Sequence, residues 1–129
     1  MVQLLDTNII VRFIIGEDTE QFRIVSDIFR DVKDGSRQVI LHEVVISEAL
    51  YVLEGVYTYT RKESASMLRE IFLLQWVANT DKLSLMESLS LYHDTSMDFA
   101  DCLLIATAKL EYQEILTFDK EMLKYISQK

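Results

Sequence analysis

An α/β fold with a parallel sheet covered by helices is what this sequence predicts, on three observations. The chain has 129 residues, half of them in the apolar set, which suits one folded domain over residues 1–129 with a substantial core. It has three glycines and no proline, too little turn material for an all-β sandwich or barrel, which needs a turn every ~8–12 residues. Short apolar runs alternate with helix-periodic segments, the pattern of βαβ units closed by right-handed crossovers into a parallel sheet with helices on both faces.

Val2 to Leu5 is apolar on both faces and ends in Asp6-Thr7-Asn8, which suits a central strand of a covered sheet. Ile9 to Ile15 continues apolar until Gly16. Phe22, Val25, Ile28, Phe29 and Val32 then recur at helical spacing up to Gly35, a C-cap residue. Gln38 to Leu41 forms a second strand, and the nearly all-apolar stretch from Val44 to Leu53 forms a buried helix. Thr60-Arg61-Lys62-Glu63 has the capping-box spacing and opens a helix running to about Trp76. A helical hairpin is therefore expected to project between residues 44 and 77. Val77 to Thr80 suits a third strand, Leu83 to Tyr92 and Asp98 to Tyr112 two helices, and Glu114 to Phe118 a last strand ending in Asp119. Lys120 to Lys129 begins helix-like.

Thirteen basic against 21 acidic residues give a formal charge of -8, the wrong sign for holding nucleic acid by bulk electrostatics, so any such contact is local. The single Cys102 cannot form an intramolecular disulfide, which together with the absence of a basic leader or a long apolar span predicts a cytoplasmic protein outside the membrane.

The acids occupy places where charge is costly. Glu48 is surrounded in sequence by Val45, Ile46, Ala49, Leu50, Val52 and Leu53, and Asp98 and Asp101 lie one helical turn apart at the head of an apolar helix. Acids in a first turn also serve the helix dipole, and Asp98 can be read as an N-cap. Asp6, Glu48, Asp101 and Asp119 nevertheless come from four segments, each tied to an apolar element near the carboxyl edge of the sheet, where ligands bind in open α/β folds. A shared counter-ion is the economical explanation. With no zinc-type Cys/His spacing in the chain, the hard cations Mg²⁺ and Mn²⁺ are favoured.

The stretches Leu4 to Ile10, Ile46 to Leu53, Asp98 to Ala106 and Leu116 to Lys120 resemble, in order, the four motifs of PIN-domain nucleases, most nearly the small VapC-like toxins of toxin–antitoxin pairs. The resemblance implies a three-layer α/β/α fold and a magnesium- or manganese-dependent endoribonuclease, with one or two ions, leaving 5′-phosphate and 3′-hydroxyl ends. Asp6, Glu48, Asp101 and Asp119 match the acidic catalytic and metal-binding quartet, Asn8 and Thr117 match polar positions that orient the first acid and a water, and Asp98 matches an acid of some branches. A homodimer and a small antitoxin partner are implied as well. This chain has His42-Glu43 where the family often has proline, and its tail after Asp119 is short, which puts a last edge strand in question.

Two other classes compete. A phospho-acceptor or phosphatase-like domain would place paired acids after the first strand, where this chain has Asp6-Thr7-Asn8. A catalytically silent interaction module would have no use for four acids in order. Metal-free ribonuclease chemistry through two histidines has only His42 and His93 to draw on, and both read better as loop or capping residues.

Overall fold

The computed structural model describes residues 1–127. Its elements run β1 (Gln3–Leu4), α1 (Thr7–Ile15), α2 (Glu20–Asp34), β2 (Val39–Ile40), α3 (Glu43–Gly55), α4 (Arg61–Ile71), α5 (Lys82–Asp94), α6 (Phe99–Glu111) and α7 (Lys120–Ser127). Parallel strand pairing and a strong helical majority are present as expected, but the alternation holds only as far as β2, after which no further strand is found among the described residues. The closing residues of the expected terminal segment, 128 and 129, lie outside the described part.

Strand β1 pairs with β2 in parallel, Gln3 opposite Val39 and Leu4 opposite Ile40. On its other side β2 meets Val77, with Val39 N–H donating to the Trp76 carbonyl at 3.0 Å and Ala78 N–H to the Val39 carbonyl at 2.8 Å. Residue Val39 is fully buried and β2 is the middle of this small sheet. The third strand expected over 77–80 reduces to the single Val77 bridge. Its continuation is supplied by a side chain: Asn79 Oδ1 accepts from Leu41 N–H at 3.0 Å and Asn79 Nδ2 donates to the Leu41 carbonyl at 2.8 Å. The amide satisfies the backbone groups a further ladder rung would have used.

Strand β1 is not central, contrary to the sequence expectation. Among the described residues its one partner is β2, and Leu4 is 72% exposed. The strand expected over 114–118 does not form. Tyr112 closes α6 in the left-handed region (φ 55°), and Gln113 N–H donates to the Ala108 carbonyl at 2.8 Å, which turns the chain back along α6. Residues 114–118 then alternate in exposure, with Ile115 and Thr117 half-buried and Leu116 and Phe118 at 95% and 102%. Ile115 lines a cavity of about 720 Å³ with Leu91, Ile105 and Ile126, so the segment is anchored against α5, α6 and α7 rather than beside β1.

Helix α1 begins at Thr7, directly after Asp6, and ends on Gly16 at φ 71°. It packs on α2 and α3, and the Phe13 and Phe29 rings stack with centroids 3.9 Å apart. The capping box of α4 is complete, Thr60 Oγ1 accepting from Glu63 N–H at 3.0 Å and Glu63 Oε1 from Thr60 N–H at 2.9 Å. The α3–α4 pair forms as expected, but α4 does not stand clear: it buries Ser64, Ala65, Leu68 and Ile71 and packs on both α3 and α5. It ends at Ile71, five residues before the expected boundary. A single contiguous core runs from Leu5 to Met122. Among the described residues no helix is long and apolar enough to cross a membrane.

Candidate functional site

Asp6 and Asp98 occupy equivalent positions. Each is the residue before a helix, α1 and α6, with extended backbone, and neither carboxylate accepts a bond from its helix. An aspartate there ordinarily binds an N–H of the first turn. The capping explanation for Asp98 thus holds for position and fails for the bond. Both acids are exposed and, among the described residues, without a hydrogen bond or ion pair on the carboxylate.

Glu48 is also exposed, which corrects the expectation of an acid forced into apolar surroundings. Ile46, Ala49, Leu50 and Leu53 face the core, while Ser47, Glu48 and Tyr51 face out. A 3.6-residue period lets one acid on an apolar helix reach water.

Asp101 is half-buried in the first turn of α6. Burial pushes its carboxyl above the usual carboxylate range, and repulsion from Asp119, Asp98 and Glu121 adds to the shift in that order. Asp119, which follows the 114–118 segment, is thus close enough to act on Asp101. Glu121 is a participant the sequence reading did not single out. Nothing in the motif marks it, since it lies beyond the last matching stretch.

The Asp119 carboxylate has a structural task. Its Oδ1 accepts from Met122 N–H at 2.9 Å at the start of α7, and its own N–H donates to Thr117 Oγ1 at 3.0 Å. Thr117 therefore holds Asp119 by the backbone. Asn8 is exposed in the first turn of α1. Next to Asp6, the buried Thr7 Oγ1 has no hydrogen-bond partner among the described residues.

The structure thus brings Asp119, Asp98 and Glu121 within electrostatic reach of Asp101. Among the described residues no three His, Cys, Asp or Glu side chains converge closely enough to hold an ion. The donor chemistry, carboxylate and hydroxyl, fits a hard cation. The arrangement is not closed around one.

The loop that launches α6 is fixed by Arg61, a second residue the sequence reading passed over. Its Nε donates to the Tyr92 carbonyl at 2.6 Å and its Nη2 to the Met97 carbonyl. Burial, and a hydrogen bond from the hydroxyl to Glu54 Oε2 at 2.8 Å, push Tyr92 up to about 12, so it stays a donor at neutral pH. His42 is a cap, Nδ1 accepting from Val44 N–H at 3.1 Å, and Lys109 pairs with Glu87 at 3.3 Å.

A mostly helical chain with a small parallel sheet and a gathering of aspartates at the head of α6 defines an α/β domain with an acidic centre. The family model of the PIN domain matches residues 4–127, and the chain belongs to the PIN-domain family. Among curated proteins it is similar to a VapC ribonuclease of Aquifex aeolicus (strain VF5), 27% identical over 125 residues that cover 95% of this chain and 91% of that protein. No solved structure matches.

Proposed function

We propose that this protein is a divalent-metal-dependent endoribonuclease, the toxin of a toxin–antitoxin pair, acting as one domain in the cytoplasm. The observation that carries the reading is the set of uncommitted acids: Asp6, Glu48, Asp98 and Asp101 have no partner on their carboxylates among the described residues, and Asp101 is held under repulsion from three others. Acids left so on a stable fold are poised for a cation. The similarity to a VapC ribonuclease over nearly the whole chain supports RNA as substrate and a small antitoxin as partner; a homodimer as the working form belongs to the same proposal.

In this reading Asp6, Glu48, Asp101 and Asp119 would hold Mg²⁺ or Mn²⁺, one or two ions, on drawing closer together than they stand here, with Asn8, Thr117 and Asp98 in support. The bound cation supplies Lewis-acid polarisation of a phosphate oxygen and a water of lowered pKa. The chain's own part is positional. Arg61 fixes the carbonyls ahead of α6 and so sets where Asp98 and Asp101 begin. Thr117 fixes the backbone of Asp119. The net charge of -8 leaves phosphate attraction to the site itself.

The test is cleavage of single-stranded RNA by purified protein in Mg²⁺, Mn²⁺ or EDTA, with product ends mapped. The expected result is metal-dependent cleavage with 5′-phosphate ends, a loss of several orders of magnitude in Asp101→Asn and a smaller loss in Asp98→Asn. Cleavage that persists in EDTA would move the chemistry to His42 or His93. Phosphoryl transfer to Asp6 would favour the phospho-acceptor class, and no metal response of any kind a silent module.

A further inference from the structure

Beside the acidic centre lies a cavity of about 540 Å³, of whose lining only Asp98 enters the proposed chemistry. Ser47, Tyr51 and Glu54 of α3 line one part of it, and Asp98, Phe99 and Tyr92 another. Its volume falls in the range of ~300–1,000 Å³ typical of small-ligand pockets. Asp98 belongs both to this lining and to the charges pressing on Asp101, so the cavity and the acid cluster are continuous.

The lining specifies what can enter. Two carboxylates, Glu54 and Asp98, repel a phosphate and accept N–H donors. Tyr51 is 78% exposed on the outer face of a helix whose inner face is fully packed, an aromatic surface of the kind unpaired bases stack on. Glu54 Oε2 is already occupied by the Tyr92 hydroxyl at 2.8 Å, while Oε1 carries no hydrogen bond among the described residues. Tyr92 thus orients Glu54 with one oxygen free.

From these features we infer that the cavity is a base-recognition subsite for a guanine next to the phosphate handled at the acid cluster. Guanine is the one standard RNA base with two adjacent N–H donors, N1–H and the 2-amino group, on its Watson–Crick edge, and the lining offers two acceptors for them, the free Glu54 Oε1 and the Asp98 carboxylate. Uracil offers N3–H between two carbonyls, which a carboxylate repels. The inference deepens the nuclease reading and rests on it for the phosphate, but its binding step can be measured without cleavage.

The experiment is a chemical-shift titration of the full chain in EDTA with guanosine, inosine, adenosine, cytidine and uridine 5′-monophosphates. Guanosine monophosphate is expected to move amides of residues 47–55 and 98–100 and to bind about tenfold more tightly than uridine monophosphate, the scale of one stacked and hydrogen-bonded base. Inosine monophosphate, lacking the 2-amino group, should fall between. Glu54→Gln keeps an acceptor for Tyr92 and should abolish the preference; Tyr51→Ala should weaken all five nucleotides. Equal affinity for all five nucleotides, shifts confined to other residues, or shifts produced only by a second protein chain would overturn the subsite. Guanosine binding without RNA cleavage in Mg²⁺ would instead overturn the nuclease reading and leave the subsite standing.

Discussion

Arg61 lies over Tyr92 with its guanidinium carbon 3.5 Å from the ring centroid, while its Nε donates to the carbonyl of the same residue. One side chain thus clamps the end of α5 from two directions and, through Met97, the start of α6. A lysine has neither the planar face nor the fork to do both. Arg61→Lys should lower stability by about 2 kcal/mol in urea denaturation and reduce RNA cleavage without abolishing it. An unchanged midpoint would show the clamp to be idle.

The capping box of α4 gives a pH-dependent prediction. Bonds from the Thr60 backbone and hydroxyl hold the exposed Glu63 carboxyl below its ordinary value. A depressed folded-state value contributes stability above the unfolded pKa, and that contribution fades as pH falls through the folded one. The stability gap between the parent and Glu63→Gln should therefore be present at neutral pH and close under acid. Thr60→Ala should cost about 1 kcal/mol, read by the same denaturation.

Gly35 closes α2 at φ 89°, and a Cβ there would lie 2.9 Å from Trp76 Nε1. Strain and clash act together, so Gly35→Ala should destabilise by about 2 kcal/mol. Trp76 is the one tryptophan in the chain, so its fluorescence reports the displacement directly. An unaltered emission spectrum with an unaltered melting temperature would contradict the contact.

Asp119 combines a capping bond with a charge near Asp101, and two substitutions separate them. Asparagine caps about as well as aspartate, so Asp119→Asn should keep α7 and, by relieving Asp101, hold or raise the EDTA melting temperature, yet weaken the rise that Mn²⁺ gives the parent. Asp119→Ala should lose both. Asp101→Asn should raise the EDTA melting temperature, because it removes a half-buried charge under repulsion. Should Mn²⁺ shift none of these proteins, the cation centre is absent.

Much of the fold is legible in local signals. The Thr60 cap, Gly35 at the end of α2 and the apolar runs of α3 and α6 stand where their residue chemistry puts them. The strands are less so, because pairing is a long-range property. Nothing in Val77 to Thr80 announces that the Asn79 amide will stand in for a ladder, and an alternating 114–118 segment can rest on helices as well as on a strand. At the site, the acids could be located in sequence, and their order pointed to the family. Their environments could not: Glu48 faces water, Asp119 is spent on a cap, and Arg61 and Glu121 act through contacts no motif encodes.

The one-sided pairing of β1 leaves a vacancy in a hydrogen-bond lattice. Gln3 and Leu5 direct their N–H groups to β2, so Leu4 between them turns its own toward the open side, beside a side chain that is itself bare. The segment ending in Phe118 carries two equally bare apolar residues, and Asp119 follows it as Asp6 follows the first strand. A strand laid along that vacancy in parallel register would set these two aspartates side by side.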